Sequence, residues 1–148
     1  MPVNLEAILA ARERLRPVLP ITPCPESIAL SEITGARVYC KLDNLQRTGS
    51  FKERGARNAL ELLDPEKRQR GVIAASAGNH ALGLACHGSL LGIPVTVVMP
   101  KFAPLIKLTT CRRLGARVVQ EGTSFSEARA CADVIAETDG LTYIHGYD

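Results

Sequence analysis

Short strand-like segments alternate with helical segments over the second half of the chain, and this alternation restricts the fold more than any other feature. Strands are predicted at Val72–Ala75, Val95–Met99, Arg117–Gln120 and Leu141–Ile144, with helices between them near Asn79–Leu91, Pro104–Leu114 and Ser124–Glu137. Strands joined by helices of about 10–15 residues form crossovers between parallel neighbours. We therefore expect an α/β fold with a parallel four-stranded sheet and flanking helices. In such sheets ligands bind beyond the carboxyl ends of the strands, here the loops after Ala75, Met99 and Gln120.

The first part of the chain carries mainly helix signals. Asn4 is predicted to cap a helix over Leu5–Leu15, whereas Arg37–Leu42 is predicted as a short strand. Ser50 and Glu53 have the spacing of a capping box, which predicts a helix from there to about residue 63. The other predicted helix starts are Asp64-Pro65 and a second capping box formed by Ser124 and Glu127.

The composition excludes several classes of protein. Hydrophobic residues make up 46% of the chain and charged residues 22%, which is typical of a globular domain and not of a disordered segment. The net charge is only +3, and the aromatic residues are three Phe and three Tyr, so a surface that binds phosphates or stacks on bases is not expected. No apolar run approaches the roughly 18 residues of a membrane span. We expect neither a nucleic-acid partner nor a membrane partner.

The cysteines and the first residues indicate the compartment. The five cysteines are Cys24, Cys40, Cys86, Cys111 and Cys131. Because none of them forms a C-x-x-C pair, a bound metal is not expected. They are interpreted as small buried hydrophobic residues of a reducing cytosol. The N-terminus lacks the basic and apolar regions of a signal peptide, so a cytoplasmic protein is expected.

The first segment with chemical potential covers residues 46–56, which read QRTGSFKERGA. If Ser50 caps the helix, Lys52 lies in its first turn, where the helix dipole disfavours a cation by about 0.3–1 kcal/mol. A free amine is the form of lysine that makes a Schiff base with the aldehyde of a cofactor. From these residues alone, an exposed lysine beside Glu53 is the alternative interpretation.

The second segment covers residues 72–81, which read VIAASAGNHA and predict a strand, a turn of small residues and a helix start. Backbone N–H groups at such a start can bind a carboxylate or a phosphate. Gly78 allows a tight turn or a close approach of a ligand, and Asn79 either caps the helix or donates its amide to a ligand oxygen. The turn has neither the dinucleotide nor the P-loop glycine pattern, and an ordinary strand-to-helix turn is the alternative.

Together, the two segments resemble a known family. The wording QRTGSFKERGA followed by SAGNHALG resembles the threonine/serine dehydratase branch of the fold-type II pyridoxal-phosphate enzymes. The resemblance extends over nearly the whole chain and includes Thr22-Pro23, residues 41–46, residues 99–104 with Lys107, residues 115–119 and Tyr147-Asp148.

The resemblance implies roles for individual residues. Lys52 matches the lysine that holds pyridoxal 5'-phosphate as a Schiff base and later removes the α-proton of the substrate, and Phe51 matches the residue that lines the surroundings of the cofactor ring. Asn79 matches the side chain that bonds the 3′-oxygen of the pyridine. Ser76, Gly78, Asn79 and His80 match the loop that receives the carboxylate of the amino acid.

The implied reaction is the β-elimination of a hydroxy amino acid. L-Threonine would give 2-oxobutanoate and ammonia, and L-serine would give pyruvate. The resemblance also implies a homo-oligomer when full length, acting in amino-acid metabolism such as isoleucine biosynthesis.

The resemblance divides the chain into two parts. Residues 1–45 are expected to belong to a larger domain, and residues 46–148 to a small α/β domain that carries Lys52. The remainder of the larger domain, with a glycine-rich loop for the cofactor phosphate, is absent from this sequence. We therefore expect little turnover from the 148 residues alone and exposed apolar side chains at Ile8, Leu9 and Leu15. Asp43, where many relatives carry Glu, and Phe102, where the residue is usually small, depart from the family pattern.

Other functions stay open. A nucleotide-binding α/β domain suits the alternation, but it lacks a phosphate fingerprint, and a non-catalytic interaction module is a further possibility. A serine racemase-like relative would need a second acid–base group, typically a serine before the Gly-Asn pair, where this chain has Ala77. The loop of cysteine synthases typically reads Ser-Gly-Asn-Thr, whereas His80 follows Asn79 here.

Overall fold

A computed structural model describes residues 3–147, so Asp148, the last residue of the family resemblance, lies outside the described residues. The helices are α1 (Leu5–Leu15), α2 (Ile28–Thr34), α3 (Lys52–Glu61), α4 (Pro65–Arg70), α5 (Asn79–Leu91), α6 (Leu105–Arg113) and α7 (Phe125–Asp139), with one 3₁₀ turn at Asp43–Leu45. The strands are β1 (Val72–Ala75), β2 (Val95–Met99), β3 (Arg117–Gln120) and β4 (Thr142–Tyr143). Within residues 3–147, no helix has both the length and the apolar character that a membrane crossing requires.

The four strands form one parallel sheet in the order β3-β2-β1-β4. This arrangement confirms the predicted fold class. In the register, Val72 lies opposite Val95, and Val97 lies opposite Val118. Every residue of β1 and β2 is buried, in agreement with their apolar runs, because helices cover both faces of a parallel sheet.

Alternate residues of β1 pack on opposite faces of the sheet. Val72 and Ala74 belong to the core formed with helices α3, α5 and α6. Ile73 and Ala75 pack with Ala128 of α7 on the other face. A fully buried Ile such as Ile73 stabilises the fold by about 1.5–3 kcal/mol. With both faces covered, the loops at the carboxyl ends of the strands are the part of the sheet that a ligand can reach.

The predicted strand at Arg37–Leu42 is wrong. Only one antiparallel bridge forms in this region, between Glu26 and Tyr39. The carbonyl groups of Pro23 and Pro25 accept hydrogen bonds from the extended segment. The two prolines have no N–H to return, so a regular ladder cannot continue along this pair of segments.

Three predicted caps are confirmed. The side chains of Asn4, Asp64 and Ser124 each accept a hydrogen bond from the backbone N–H three residues later, at 2.8, 2.9 and 3.1 Å. In the second capping box, Glu127 bonds the N–H of Thr123 rather than that of Ser124. The return bond of the box is therefore displaced by one residue.

The capping box predicted at Ser50 is wrong. Helix α3 begins at Lys52, whose N–H donates to Ser50 Oγ at 3.3 Å. The carboxylate of Glu53 accepts a hydrogen bond from the N–H of Thr48, and its second oxygen faces His87 of α5. Glu53 therefore turns into the protein interior instead of closing the box.

The cysteines differ in burial. Cys86 and Cys111 are buried, and burial raises the pKa of the Cys111 thiol to about 11. Cys24 is exposed and Cys40 and Cys131 are only partly buried, so the interpretation of all five cysteines as buried residues is wrong at these three positions. The prolines at 23 and 25 keep the chain around Cys24 irregular and at the surface.

The N-terminal segment packs on α3 through α1. Arg14 Nε donates to Asn58 Oδ1 at 2.9 Å, and Leu15 is buried at this contact, contrary to the expectation that it is exposed. Ile8 and Leu9 are exposed as expected, at 54% and 46% of their residue surfaces.

Asp43 joins the N-terminal segment to α3. Arg54 donates to both carboxylate oxygens of Asp43, at 2.7 and 3.0 Å, and Thr22 Oγ1 donates at 2.7 Å. These hydrogen bonds, above all those from the Arg54 guanidinium, hold the pKa of Asp43 well below its usual range. Asp43, where many relatives carry Glu, thus forms the ion pair with Arg54 that joins the N-terminal segment to α3.

We expect Asp43→Asn to lower the free energy of unfolding by about 2 kcal/mol at pH 7, because it breaks a bidentate charged pair. The pKa of Asp43 is lower in the folded state than in the unfolded state. The stabilisation by its carboxylate is therefore present above the unfolded pKa of about 4 and is lost as the pH falls below that value. The difference between the two proteins in urea unfolding should therefore shrink below about pH 4. An equal difference at pH 7 and pH 3 would contradict the assignment.

Candidate active site

A cavity of about 350 Å³ opens where the carboxyl ends of β1 and β4 meet the first turns of α3 and α5. The residues singled out from the sequence that line it are Phe51, Lys52, Ser76, Gly78, Asn79 and His80. These residues come from two segments that lie on different helices. The volume is in the range of sites for small organic ligands. The cavity is therefore the candidate active site.

Lys52 is the first residue of α3, and its side chain enters the cavity. Its Nζ donates to the carbonyl of Gly146. The same atom lies 5.1 Å from the ring centroid of Phe51 and 4.7 Å from that of Tyr147. The carbonyl of Gly146 and the rings of Phe51 and Tyr147 thus hold the Lys52 amine in the cavity.

The loop after β1 leads directly into α5. Gly78 is the N-cap of α5, in an extended backbone conformation, and its N–H donates to Ser76 Oγ at 3.2 Å. The N–H groups of the first helical turn have no partner within the helix, which makes this end a site for an anion. A Cβ added at Gly78 would meet no atom within 4 Å, so the backbone is open to a ligand.

Asn79 is the first helical residue and not the cap. Its Oδ1 accepts a hydrogen bond from Lys107 Nζ of α6 at 2.7 Å. Because an ammonium group only donates, this bond determines which atom of the amide is the oxygen. The amide NH₂ of Asn79 is then the group that can donate to a ligand.

His80 is buried against the segment that follows β4. Its Nε2 lies 3.0 Å from the carbonyl oxygen of Ile144, so Nε2 carries the proton. Burial lowers the pKa of His80, which keeps the imidazole neutral at pH 7. A Cβ at Gly146 would lie 3.2 Å from His80 Cγ, so a glycine lets this segment approach the ring closely.

The sequence analysis missed several residues that line the cavity. They are Phe125, Tyr143, His145, Gly146 and Tyr147. The hydroxyl of Tyr143 accepts a hydrogen bond from the N–H of Ala75 at 3.1 Å, which joins β4 to the end of β1. The loop after the fourth predicted strand could have indicated these residues, since carboxyl ends of parallel strands share one edge. Of the three predicted loops, the one after Ala75 lines the cavity and the one after Met99 does not; the loop after Gln120 leads to Phe125, which does.

The polar groups in the cavity include the amine of Lys52, the amide of Asn79, the neutral imidazole of His80 and backbone N–H groups. All of them suit an organic anion or an aldehyde. Within residues 3–147, no cluster of three or more His, Cys, Asp or Glu side chains is placed to hold a metal ion.

The chain is similar to known proteins along almost its whole length. Residues 15–148 match the family described as "Pyridoxal-phosphate dependent enzyme". The L-threonine ammonia-lyase of Thermotoga maritima is 48% identical over 146 residues, which are 99% of this chain and 36% of that protein.

Two solved structures are similar in both sequence and fold. Maize serine racemase has a TM-score of 0.92 at 29% identity, and the match covers 100% of this chain and 45% of the racemase chain. Threonine deaminase isoform 2 of Solanum lycopersicum, in its processed form, has a TM-score of 0.85 at 36% identity, over 99% of this chain and 44% of that chain.

The chain thus spans 36% of the length of the Thermotoga protein and less than half of the two solved chains. The family match, by contrast, covers all but the first 14 residues. This chain belongs to the family of pyridoxal-phosphate dependent enzymes.

Proposed function

We propose that this chain supplies the lysine-bearing part of an ammonia-lyase that converts L-threonine to 2-oxobutanoate and ammonia, and L-serine to pyruvate and ammonia. The observation that carries the proposal is that one cavity brings the amine of Lys52 to the N-terminal end of α5. An amine and an anion site are the two groups that an enzyme needs to act next to the carboxylate of an amino acid. The name of the Thermotoga relative supports the same activity.

The residues of the cavity fit pyridoxal 5'-phosphate. Lys52 offers an amine for its aldehyde, the amide of Asn79 offers a donor for the oxygen of its ring, and Phe51 lines the cavity beside the amine. When bound, the cofactor supplies an electron sink for the electron pair left on the α-carbon of the substrate. These three residues would hold it.

The other roles belong to the side chains and backbone of this chain. The free amine of Lys52 takes the α-proton, and the amine leaves the carbonyl of Gly146 when it does so. The N–H groups of residues 78–80 and the hydroxyl of Ser76 receive the carboxylate of the substrate, and the Gly78 N–H exchanges its bond to Ser76 Oγ for one to the carboxylate. The neutral His80, which donates to Ile144, keeps the helix start in place without adding a charge.

The same proposal includes the organisation of the protein. We assign residues 1–45 to a larger domain and residues 46–148 to a small domain. The assignment is supported by the exposed apolar side chains of the first segment, such as Ile21 at 86% and Ile33 at 80%, which a larger domain would cover. A cytoplasmic homo-oligomer that acts in amino-acid metabolism completes the proposal.

Racemisation is the second candidate, because maize serine racemase has the same fold over this chain. A racemase needs an acid on the opposite face of the substrate from the lysine. Ala77 lines the cavity next to Gly78, and its methyl group has no proton to give. The side chains therefore favour elimination.

We expect the full-length protein with pyridoxal 5'-phosphate to form 2-oxo acid from L-threonine and L-serine, with little D-serine. The 2-oxo acid is measured by reduction with a dehydrogenase, and D-serine by chiral chromatography. D-Serine as the main product would show a racemase instead. If no imine absorbance forms with the cofactor, the non-catalytic module is the better explanation.

A further inference from the structure

Glu53 and His87 form a fully buried pair that the proposed mechanism does not use. Both side chains are 0% exposed, and Glu53 Oε2 lies 3.1 Å from His87 Nε2. Glu53 is in the first turn of α3, directly after Lys52, and His87 is on α5, the helix that begins at Asn79. The pair therefore connects the helix that carries the lysine with the helix that carries the anion site.

The carboxylate also holds the loop before α3. Its second oxygen accepts the N–H of Thr48, and Ser50 Oγ accepts the N–H of Lys52 at 3.3 Å. The turn that sets the direction of Lys52 is thus bonded on both sides, to its own loop through Thr48 and to α5 through His87. A shift of α3 relative to α5 would break the second of these bonds.

The two helices approach closely beside this pair. A Cβ added at Gly83 of α5 would lie 3.3 Å from the backbone oxygen of Lys52 and 3.3 Å from Ala56 Cβ. The contact leaves little room for sliding, so the backbone at Lys52 rests directly on α5. The distance from the lysine to the start of α5 depends on this contact.

The protonation of the pair follows from its surroundings. His87 Nδ1 is buried and has no hydrogen-bond partner within residues 3–147, so a proton there would be an unsatisfied donor. Burial lowers the pKa of His87, and the charges of Arg47 and Arg57 act in the same direction. The hydrogen bond and the electrostatic interaction with Glu53 act in the opposite direction. We assign a neutral imidazole whose Nε2–H donates to Glu53 Oε2.

Stability alone does not account for such a pair. An apolar pair of similar shape stabilises a helix contact as well as a buried hydrogen-bonded polar pair or better, because the burial of polar groups is itself unfavourable. Directional hydrogen bonds, in contrast, restrict the relative position of two elements. The geometry of this pair therefore suits a positioning role.

We propose that Glu53 and His87 are positioning residues for Lys52: their hydrogen bond sets the first turn of α3, and with it the amine, relative to the start of α5. The inference rests on the proposed function. It predicts that loss of the bond lowers kcat and the share of bound cofactor attached to Lys52 more than it changes KM. A misplacement of about 1 Å can lower a rate by about 100-fold.

The test compares His87→Leu, which removes the donor, with His87→Gln, which keeps an N–H for Glu53, in the full-length protein with pyridoxal 5'-phosphate. For His87→Leu we expect kcat for L-threonine to fall at least about tenfold, with KM within about twofold. Imine absorbance per bound cofactor should fall in parallel. His87→Gln should recover most of both values. His87→Met, which likewise has no N–H for Glu53, replaces His87→Leu if that variant does not fold.

Glu61→Gln is the matched control. This substitution breaks the salt bridge between Glu61 Oε1 and Arg57 Nε, which lie 2.6 Å apart at the opposite end of the same helix. We expect kcat and imine absorbance to stay unchanged. If the variants that break the buried bond lose stability but match this control in kcat and in imine absorbance per bound cofactor, the pair is only structural and the inference is wrong. A wild-type protein without imine absorbance overturns the proposed function, and this inference with it.

Discussion

Lys52→Ala in the full-length protein is expected to lower the formation of 2-oxo acid from L-threonine by at least about 10⁴-fold. One side chain supplies both the amine that holds the cofactor and the base for the α-proton, so a single substitution removes two functions. The amine lies in the cavity against the carbonyl of Gly146, with no second lysine among its lining residues within 3–147. Steady-state assays of the purified variant, together with its imine absorbance, measure both losses.

Lys101→Ala is the control for this substitution. Lys101 is exposed and pairs with Glu121 at 3.4 Å on the surface, so its loss should leave activity unchanged. Near wild-type activity of Lys52→Ala would contradict the assignment. The role would then pass to Lys107, which bonds Asn79, and not to Lys41, which donates to the carbonyl of Thr22.

Gly71→Ala is expected to lower the free energy of unfolding by about 3 kcal/mol or more. Gly71 ends α4 with a φ of +100° and a ψ of −179°, a conformation that is essentially restricted to glycine. An added Cβ would also lie 2.7 Å from the carbonyl oxygen of Pro94. That oxygen accepts the N–H of Val72 at 2.9 Å, so the first contact between β1 and β2 would be disturbed. The measurement is the urea midpoint of the protein.

Gly92→Ala is a comparison without a steric contact. Gly92 also has a positive φ, of +67°, but a Cβ there would meet nothing within 4 Å. Only the backbone strain applies, and we expect a loss of about 1 kcal/mol. Equal losses in the two variants would mean that neither the contact with Pro94 nor the more restricted backbone conformation at Gly71 adds to the loss.

The regular part of the fold could be predicted from the sequence because its signals are local. β1 and β2 are short apolar runs, and Asn4, Asp64 and Ser124 cap helices through bonds that reach only three residues along the chain. Such bonds depend on the residues of one segment. The predicted strand at 37–42 failed because its pairing depended on a second segment whose prolines lack donors.

The candidate site was partly predictable for the same reason. Lys52 and the turn at Gly78-Asn79 each belong to a continuous motif, and both line one cavity in the structure. Their roles stay predictions. The residues at the end of β4 and after it, such as Tyr143 and Gly146, belong to no motif of this kind and entered the site only through the order of the strands.

Sequence by itself determined the alternation of strands and helices, the parallel sheet and the two segments that carry the chemistry. Only the tertiary structure decided which groups meet. Lys52 bonds a carbonyl 94 residues away, Glu53 bonds His87 across 34 residues, and Lys107 bonds Asn79 across 28. Hydrophobic periodicity predicts which face of a helix is buried, but not how far it slides or turns on its neighbour. Since Glu53 also had the spacing of a capping box, only the packing of α3 on α5 could show that its partner is a histidine.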